Sequence, residues 1–427
     1  MLDSAKYFTY RSGIMKWIKT LLKIAGVFIA VLVLGGLALV AMMRWEHGRQ
    51  MTLPKPTGHF AVGRTSFTWT NDTLTDDLAP MPGTKRTVFV WMWYPASTAQ
   101  PAAPAEYLPP AWRSAQGDST GTLMREYLNH DFAHVRTNSF IDPAVSPEQA
   151  AYPVIIIRSG GGALTTELST LAEDLASHGY CVVGLDAPYR SSLVVFPDGH
   201  VVRRQSANNP ETMSYEAGKQ LANKLLPMWT SDASFVIDRL ERLNESDPSG
   251  KFTGRLDTAK LGIFGHSFGG ATALQFCHDD RRCKAAMDID GMPFGNVVQE
   301  GASQPVLFLF SDHTSELSTS ESREVLSDIH SVYDHLKSSR HVVMIRGANH
   351  FTFTDQMVTK STYFIRVFLL VKRGPSALRG LAITRAYVHA FFDAYLKGAP
   401  VDELAKIRHS FPEVQTFDGL PPDAPAR

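Results

Sequence analysis

The longest apolar stretch of the chain lies near its amino terminus, where residues 24–43 include no charged side chain. A helix of this length rises about 30 Å, which matches the hydrocarbon core of a bilayer. Five Lys and Arg residues precede it, so the positive-inside rule predicts a cytoplasmic amino terminus and a body that is periplasmic or extracellular. The alternative is a signal peptide cleaved at Gly36-Leu37-Ala38, which leaves a secreted body.

The body shows the hydrophobic pattern of an α/β domain. Residues 60–70 and 86–94 alternate as strands do, whereas residues 153–157 and 181–185 are short, continuous apolar runs. A helical stretch over 164–178 separates these two runs. Strands that are apolar on both faces and alternate with helices predict a mostly parallel central sheet flanked by helices.

The same reading gives the remaining elements and the domain boundaries. We predict helices over 221–244 and 381–396, a hairpin over 194–202 that turns at Asp198-Gly199, and strands over 285–289, 305–310 and 341–345. The chain then divides into a basic cytoplasmic segment (1–23), a membrane anchor (24–43), a polar tether (44–58) and one α/β domain (59–427). Within that domain, residues 97–150 have no sustained period and are interpreted as a long connection or cap.

Charge and cysteine content exclude several classes of protein. Lys plus Arg and Asp plus Glu both number 42, so no overall basic field attracts nucleic acid. The three cysteines have no zinc-binding spacing, and buried free thiols are favoured at Cys277 and Cys283, with a single disulfide between them as the alternative in an oxidising compartment. His130 and His134 lie four residues apart, but no carboxylate or cysteine set completes a metal site around them.

A short glycine-rich motif supplies the candidate nucleophile. Residues 261–264 read as a strand, and Gly265-His266-Ser267-Phe268-Gly269 follows them and opens a helix. The pattern G-x-S-x-G between a strand and a helix is the nucleophile elbow, in which glycines allow a strained turn that exposes the serine hydroxyl. The sequence therefore predicts that Ser267 is the nucleophile.

Such a serine needs a histidine base and a carboxylate that orients it. His350 comes directly after the strand at 341–345, where this chain order places the base, whereas His266 is interpreted as structural. Three aspartates are candidates for the acid: Asp290 ends the strand after the elbow helix, Asp288 lies two residues earlier on the same face, and Asp312 ends the following strand. On fold grounds alone the later strand end favours Asp312.

Several segments resemble one known family. GHSFGGAT, AAMDIDGMPFG, IRGANHFTFTD and PVIIIRSGGGALTTELSTLAEDLASHGY look like the serine-dependent platelet-activating factor acetylhydrolases of the plasma and intracellular type II kind and their bacterial relatives. These enzymes have the α/β-hydrolase fold, and the likeness extends over residues 87–398. The resemblance implies hydrolysis of short or oxidised acyl groups of phospholipids, with no metal or organic cofactor.

The resemblance also selects among the aspartates. The family places its acid in a hydrophobic-Asp-Gly or Asp-Ala context, which Ile289-Asp290-Gly291 matches, so Asp290 is preferred over Asp312 and Asp288. The backbone N–H groups of Phe268 and Gly161 are the expected oxyanion donors. One departure is that the family's Ser-His-Gly reads Arg158-Ser159-Gly160 here, which bears on specificity more than on the chemistry.

Two other functions fit the same residues. A general carboxylesterase or cutinase-like polyester hydrolase uses the same triad on other esters. A hydrolase fold without activity, used as a binding module, is the alternative from another class. The expected partners are a small-molecule or lipid ester and a membrane reached through residues 24–43, while the oligomeric state is left open.

Overall fold

The structure is a computed structural model of the whole chain. It describes residues 3–99, 102–120, 129–209, 213–313, 320–360, 377–417, 420 and 423–424. The strands within these ranges are β1 (Met51–Thr52), β2 (Ala61–Thr75), β3 (Lys85–Ala96), β4 (Pro104–Glu106), β5 (Val135–Ile141), β6 (Tyr152–Arg158), β7 (Cys181–Asp186), β8 (Leu193–Val195), β9 (Val201–Arg203), β10 (Leu256–His266), β11 (Cys283–Ile289), β12 (Val306–Phe310), β13 (Arg340–Ile345), β14 (Val414–Gln415) and β15 (Asp423–Ala424). The helices are α1 (Asp3–His47), α2 (Pro110–Thr120), α3 (Ser169–Ser177), α4 (Tyr215–Glu245), α5 (Phe268–Asp279), α6 (Val297–Glu300), α7 (Ser320–His335), α8 (Gln356–Thr359), α9 (Ala377–Lys397) and α10 (Asp402–Ser410).

Within the described residues, thirteen strands form one mixed sheet with the main order β1-β5-β2-β3-β7-β6-β10-β11-β12-β13-β14; β4 pairs with β5, β15 pairs with β13, and β8 and β9 form a separate hairpin. From β7 to β13 all neighbours are parallel, whereas β2, β3 and β7 pair antiparallel at one side. This confirms the predicted mostly parallel sheet. The carboxyl ends of β10, β11, β12 and β13 therefore lie along one edge, where side chains from distant parts of the sequence meet.

The central strands explain why their sequences are continuously apolar. Every residue of β6 is buried. Ile155 and Ile157 belong to the core on one face of the sheet, and Val154 and Ile156 belong to the core on the other face. Because helices cover both faces, each position of the strand requires an apolar side chain or a paired polar one.

The amino-terminal helix is longer than the predicted apolar segment. It continues to His47, and within Trp17–His47 an 18-residue window has a mean hydropathy of 2.8 with none of its residues buried. By length and composition this helix qualifies either as a membrane span or as a signal sequence.

The structure differs from the predicted tether over 44–58. Residues 44–47 complete α1, Met51 and Thr52 pair with β5, and Leu53 is buried. The Thr57 backbone N–H and hydroxyl both donate to Asp174 Oδ1, at 2.8 and 2.9 Å. The polar segment is therefore hydrogen-bonded along the surface of the domain and is not a free linker.

The region 97–150 also holds more regular structure than its sequence indicated. It contributes α2 and two strands, and β5 pairs with β2 in parallel at the sheet edge. Only two of the seven residues of β5 are buried, so the strand carries no apolar alternation to reveal it. Residues 100–101 and 121–128 of this region lie outside the described part of the chain.

The interpretation of Cys277 and Cys283 as free thiols is wrong, because the structure joins them as a disulfide. Cys277 lies near the end of α5 and Cys283 begins β11, and the intervening loop brings their Cα atoms to 5.1 Å. This separation lies in the ordinary range for a bridge. Cys181 is a buried free cysteine.

Candidate active site

Ser267 occupies the sharp turn between β10 and α5. Its backbone has φ 58° and ψ −127°, which is strained for a residue with a side chain. The flanking glycines are required by close backbone packing. A Cβ atom on Gly265 would lie 2.1 Å from the Gly269 carbonyl, and one on Gly269 would lie 2.2 Å from the Arg158 carbonyl oxygen. The turn is thus the predicted nucleophile elbow in geometry as well as in sequence.

His350 lies in the turn that follows β13, at the start of a short 3-10 helix. The Asn349 side chain caps that helix by accepting a hydrogen bond of 2.9 Å from the Phe351 N–H. His350 Nδ1 donates to Asp290 Oδ2 at 2.7 Å, and its side chain is 40% exposed. One ring nitrogen is therefore held by a carboxylate while the ring remains open to the cavity.

Asp290 follows β11 and has a fully buried carboxylate. Oδ1 accepts hydrogen bonds from Ser311 N–H at 2.7 Å and His313 Nε2 at 3.0 Å, and Oδ2 accepts from the Ser311 hydroxyl at 2.9 Å and from His350. Burial acts to raise the pKa of Asp290, but the hydrogen bonds from His313 and His350 outweigh it and leave the pKa below its ordinary value. The carboxylate is therefore ionised and fixed in orientation.

The other two candidate acids do not reach His350 but have their own backbone contacts. Asp312 Oδ2 accepts from Gly347 N–H at 2.7 Å, which braces the turn that carries the histidine. Asp288 Oδ1 accepts from Gly291 N–H at 2.9 Å, and burial raises the pKa of Asp288 well above its usual value. The structure brings Asp290 alone of the three into contact with His350.

His266 packs beneath the same histidine. Its Nε2 donates to the His350 backbone carbonyl at 2.7 Å, and the two ring centroids are 4.4 Å apart. Burial and the nearby His350 ring lower the pKa of His266 to about 3, so it is neutral at ordinary pH. These contacts give His266 a supporting position behind the site.

His130 and His134 lie elsewhere, on the segment that precedes β5. His134 Nδ1 lies 3.6 Å from Asp131 Oδ2, and burial lowers the pKa of His130. Within the described residues, no group of three or more His, Cys, Asp or Glu side chains is arranged to hold a metal ion.

Ser267, Asp290 and His350 all line one cavity of about 490 Å³. Gly161 and Phe268, the expected oxyanion donors, line it as well, and Gly160 packs so closely that a Cβ there would lie 3.1 Å from Ser267 Cβ. The walls come mainly from α4, α7 and the loop after β11, and their apolar members are Met213, Ala222, Met292, Phe294, Phe310, Val325, Leu326, Ile329 and Phe417.

Sequence reasoning missed several residues of this site. His313 and Ser311, which hold Asp290, lie in a loop where no periodicity or motif marks them. Their one sequence signal is proximity to the strand end at Phe310. Trp91 and Trp112 pack in the core, with their ring centroids 5.3 Å apart.

The departure from the family pattern at Arg158 is accommodated in the core. Arg158 is buried, and its guanidinium carbon lies 4.3 Å from the centroid of the Trp229 ring. Its Nη1 donates to the Leu185 carbonyl at 3.1 Å. Arg158 therefore supports the sheet behind the oxyanion loop, and Gly160 and Gly161 keep their place at the cavity.

Comparison with known proteins agrees with this geometry. Residues 46–226 and 234–398 match the family described as platelet-activating factor acetylhydrolase, isoform II. The chain belongs to this family. The resemblance drawn from the sequence motifs is thereby confirmed, and the matched residues include Ser267, Asp290 and His350.

Individual members of the acetylhydrolase family are distant in sequence. The chain is 27% identical over 219 residues to a platelet-activating factor acetylhydrolase of Cavia porcellus, covering 48% of each protein. It is 25% identical over 285 residues to a probable 1-alkyl-2-acetylglycerophosphocholine esterase of Arthroderma benhamiae, which covers 62% of this chain and 66% of the relative. The chain thus spans about half and about two thirds of the length of these relatives.

A solved structure extends the likeness over most of the fold. A ferulic acid esterase from Streptomyces cinnamoneus superposes with a TM-score of 0.69 at 26% identity, covering 86% of this chain and 99% of that one. This neighbour and the sheet topology confirm the α/β-hydrolase fold predicted from the sequence.

Proposed function

We propose that this acetylhydrolase family member is a serine esterase, with Ser267 as nucleophile, His350 as general base and Asp290 as the orienting acid. The observation that carries the proposal is the 2.7 Å hydrogen bond between His350 and Asp290 at a cavity which both share with Ser267. A strained serine, a half-exposed imidazole and a buried ionised carboxylate are the parts that acyl transfer requires.

In the proposed reaction, His350 Nε2 takes the Ser267 hydroxyl proton while Oγ attacks the ester carbonyl carbon. The carbonyl oxygen becomes an oxyanion and accepts hydrogen bonds from the backbone N–H groups of Phe268 and Gly161. His350 then gives its proton to the departing alcohol, which leaves an acyl-enzyme. Water attacks this ester, transfers a proton to His350 and releases the carboxylic acid, and the proton returns to Ser267.

The proposed substrates are phospholipids that carry a short or oxidised acyl group. Support comes from the names of the relatives, which are acetylhydrolases and an acetylglycerophosphocholine esterase. The cavity has a volume of about 490 Å³ and largely apolar walls, which suits a small acyl group beside a lipid backbone.

We further propose that residues 24–43 are an uncleaved anchor with a cytoplasmic amino terminus, which would hold the domain close to lipid. Intact-mass analysis of the protein isolated from membranes tests this, since cleavage would remove the amino-terminal residues.

The second candidate is an esterase for neutral or aromatic esters, including polyesters. The observation in its favour is the ferulic acid esterase, whose whole length superposes on this chain. Phe268, Phe294, Phe310 and Phe417 line the cavity and would accept an aromatic acyl group equally well.

Substrate profiling of the full-length protein in detergent separates these candidates. The panel comprises 1-alkyl-2-acetylglycerophosphocholine, nitrophenyl esters of increasing acyl length, a feruloyl ester and a polyester film, with Ser267→Ala as control. We expect cleavage of the acetyl phospholipid and a steep decline with acyl length. Fast cleavage of feruloyl ester or film without cleavage of phospholipid would support the second candidate, and inertness toward every ester would identify a binding module.

A further inference from the structure

Arg204 lies against the loop that supplies one of the proposed oxyanion donors. It follows β9 of the hairpin, and its backbone N–H donates to the Ser192 carbonyl at 3.1 Å. Its guanidinium covers Gly162, where a Cβ atom would lie 2.2 Å from both Cζ and Nη1. Gly162 also has φ 73°, so a glycine serves both the backbone turn and the close approach of the cation.

Arg204 is a half-buried residue in the wall of the cavity that contains Ser267. Within the described residues its nitrogens form no ion pair and no hydrogen bond. Neighbouring cations are engaged: Arg203 donates to the Ala115 carbonyl oxygen, and Lys219 pairs with Glu324. A cation that is partly shielded from water and has no protein partner can receive an anion at little further desolvation cost.

We infer that Arg204 binds a phosphate group of the substrate, next to the ester that Ser267 attacks. The inference rests on the proposed esterase function and narrows its substrate class to acyl esters that carry a phosphate. Arg204 packs on Gly162, which is the next residue after the proposed oxyanion donor Gly161. An anion bound to Arg204 would therefore lie near the proposed oxyanion position. In a 2-acylglycerophospholipid the phosphate is attached to the carbon adjacent to the one that carries the acyl ester, which matches this short separation.

The chemistry of the guanidinium favours phosphate over a neutral group. Its planar fork donates two parallel hydrogen bonds to two phosphate oxygens, and the charge needs no proton transfer to form. Of the acidic side chains that line the cavity, Asp290 is already occupied by its four donors and Glu321 is exposed on the first turn of α7. Neutral aryl esters and polyesters have no anionic group for Arg204 to bind, so the effect of replacing this residue distinguishes the two candidate functions.

The test compares two lipids that differ in one group. Full-length protein in neutral detergent micelles is assayed on 1-alkyl-2-acetylglycerophosphocholine and on 1-alkyl-2-acetylglycerol, which lacks the phosphate. The measured quantity is kcat/KM for the phosphate ester divided by kcat/KM for the neutral ester. We expect Arg204→Gln to lower this ratio by about tenfold or more. Arg204→Lys keeps the charge without the fork and should give an intermediate ratio.

Arg203→Gln is the matched control. Arg203 lies next to Arg204 in the sequence, but its guanidinium donates to the Ala115 backbone carbonyl and does not face the cavity. Its ratio should equal that of the wild type. The inference is overturned if Arg204→Gln reduces both substrates in equal proportion, since this would mean a general effect on the loop or on folding. It is also overturned if the wild-type protein shows no preference for the phosphate ester.

A second measurement separates this inference from the proposed function. Alkylglycerophosphocholine, the alcohol product, should inhibit cleavage of nitrophenyl acetate, and Arg204→Gln should raise its inhibition constant about tenfold. Equal inhibition of both proteins overturns the role of Arg204 while leaving the esterase proposal standing. Absence of cleavage of any ester by the wild type overturns the proposed function, and the inference with it.

Discussion

The floor of the cavity and its walls are held in different ways. On the floor, Ser267, Asp290 and His350 follow the carboxyl ends of β10, β11 and β13, and both carboxylate oxygens of Asp290 are saturated with hydrogen bonds. The walls come mainly from α4, α7 and the loop after β11, and they are mostly apolar, with isolated charges such as Arg204.

This difference separates chemistry from selectivity. Strand ends bring the members of the proposed proton-transfer chain to one cavity and hold His350 against Asp290 at 2.7 Å, and catalysis requires such fixed geometry. Helices and loops around it can change their side chains without disturbing that chain. Substitutions on the floor should therefore affect all esters alike, and substitutions in the walls should change which ester is preferred.

The largest effect should come from Ser267→Ala. Removal of the nucleophile should lower kcat/KM by about 10⁵-fold or more for every ester in the panel. The control is Ser311→Ala, which removes a hydroxyl that only braces Asp290 and should cost far less. Comparable losses in the two variants would show that the floor does not depend on one nucleophile.

A smaller but still severe loss should follow Asp290→Asn, of about 10³-fold to 10⁴-fold in kcat, because His350 loses its orienting charge. Asp312→Asn retains an oxygen that can accept from Gly347 N–H and should cost less than about tenfold. Steady-state kinetics at matched pH decide between them. A larger loss of kcat in Asp312→Asn than in Asp290→Asn would assign the role of the acid to Asp312.

The next effect concerns pH and tests whether His313 belongs to the floor. Burial raises the pKa of Asp290, but hydrogen bonds from His313 and His350 lower it further than burial raises it. A carboxylate with a depressed folded-state pKa stabilises the protein above the pH at which the unfolded residue titrates, and this contribution disappears as the pH falls. His313→Leu removes one donor and raises the folded-state pKa, so the acid-unfolding midpoint should move to higher pH by a few tenths of a unit.

His313→Gln is the matched variant, because its amide Nε2 can reach Asp290 Oδ1 as a donor without titrating. Its acid-unfolding midpoint, followed by circular dichroism, should stay close to that of the wild type. Identical midpoints for the Leu and wild-type proteins would remove His313 from the support of Asp290.

The smallest effect should be a change of selectivity in the wall. Val325 is half-buried on α7 and lines the cavity, so Val325→Phe should narrow the space for the acyl chain. Cleavage of hexanoyl relative to acetyl nitrophenyl ester should fall by about five- to tenfold. An unchanged ratio with a general loss of rate would mean that the acyl group does not lie along α7.

The sequence predicted the floor better than the walls, for physical reasons. Ser267 and His350 follow from glycine spacing and strand order, which are local features. Asp290 and Asp312 follow strands and Asp288 lies near the end of β11, so the residues alone did not separate them, and the family resemblance chose Asp290. In the structure, Asp312 binds the backbone of the histidine turn and Asp288 is buried beside Gly270.

Other features depend on contacts between segments that no local pattern encodes. His313 and Arg204 are single polar residues in loops, and only the fold shows what they touch. Strand β5 has two buried positions among seven and carries no strand signal. The Cys277–Cys283 disulfide depends on how the end of α5 meets β11, a separation that spacing in the sequence does not fix.

The most direct test of the central claim is covalent labelling of the full-length protein with a fluorophosphonate, with the modified residue located by peptide mass spectrometry. Activation of Ser267 by His350 predicts one label on Ser267 that is lost in His350→Ala and slowed strongly in Asp290→Asn. A label on another residue, or labelling of Ser267 at an undiminished rate without His350, would contradict the account.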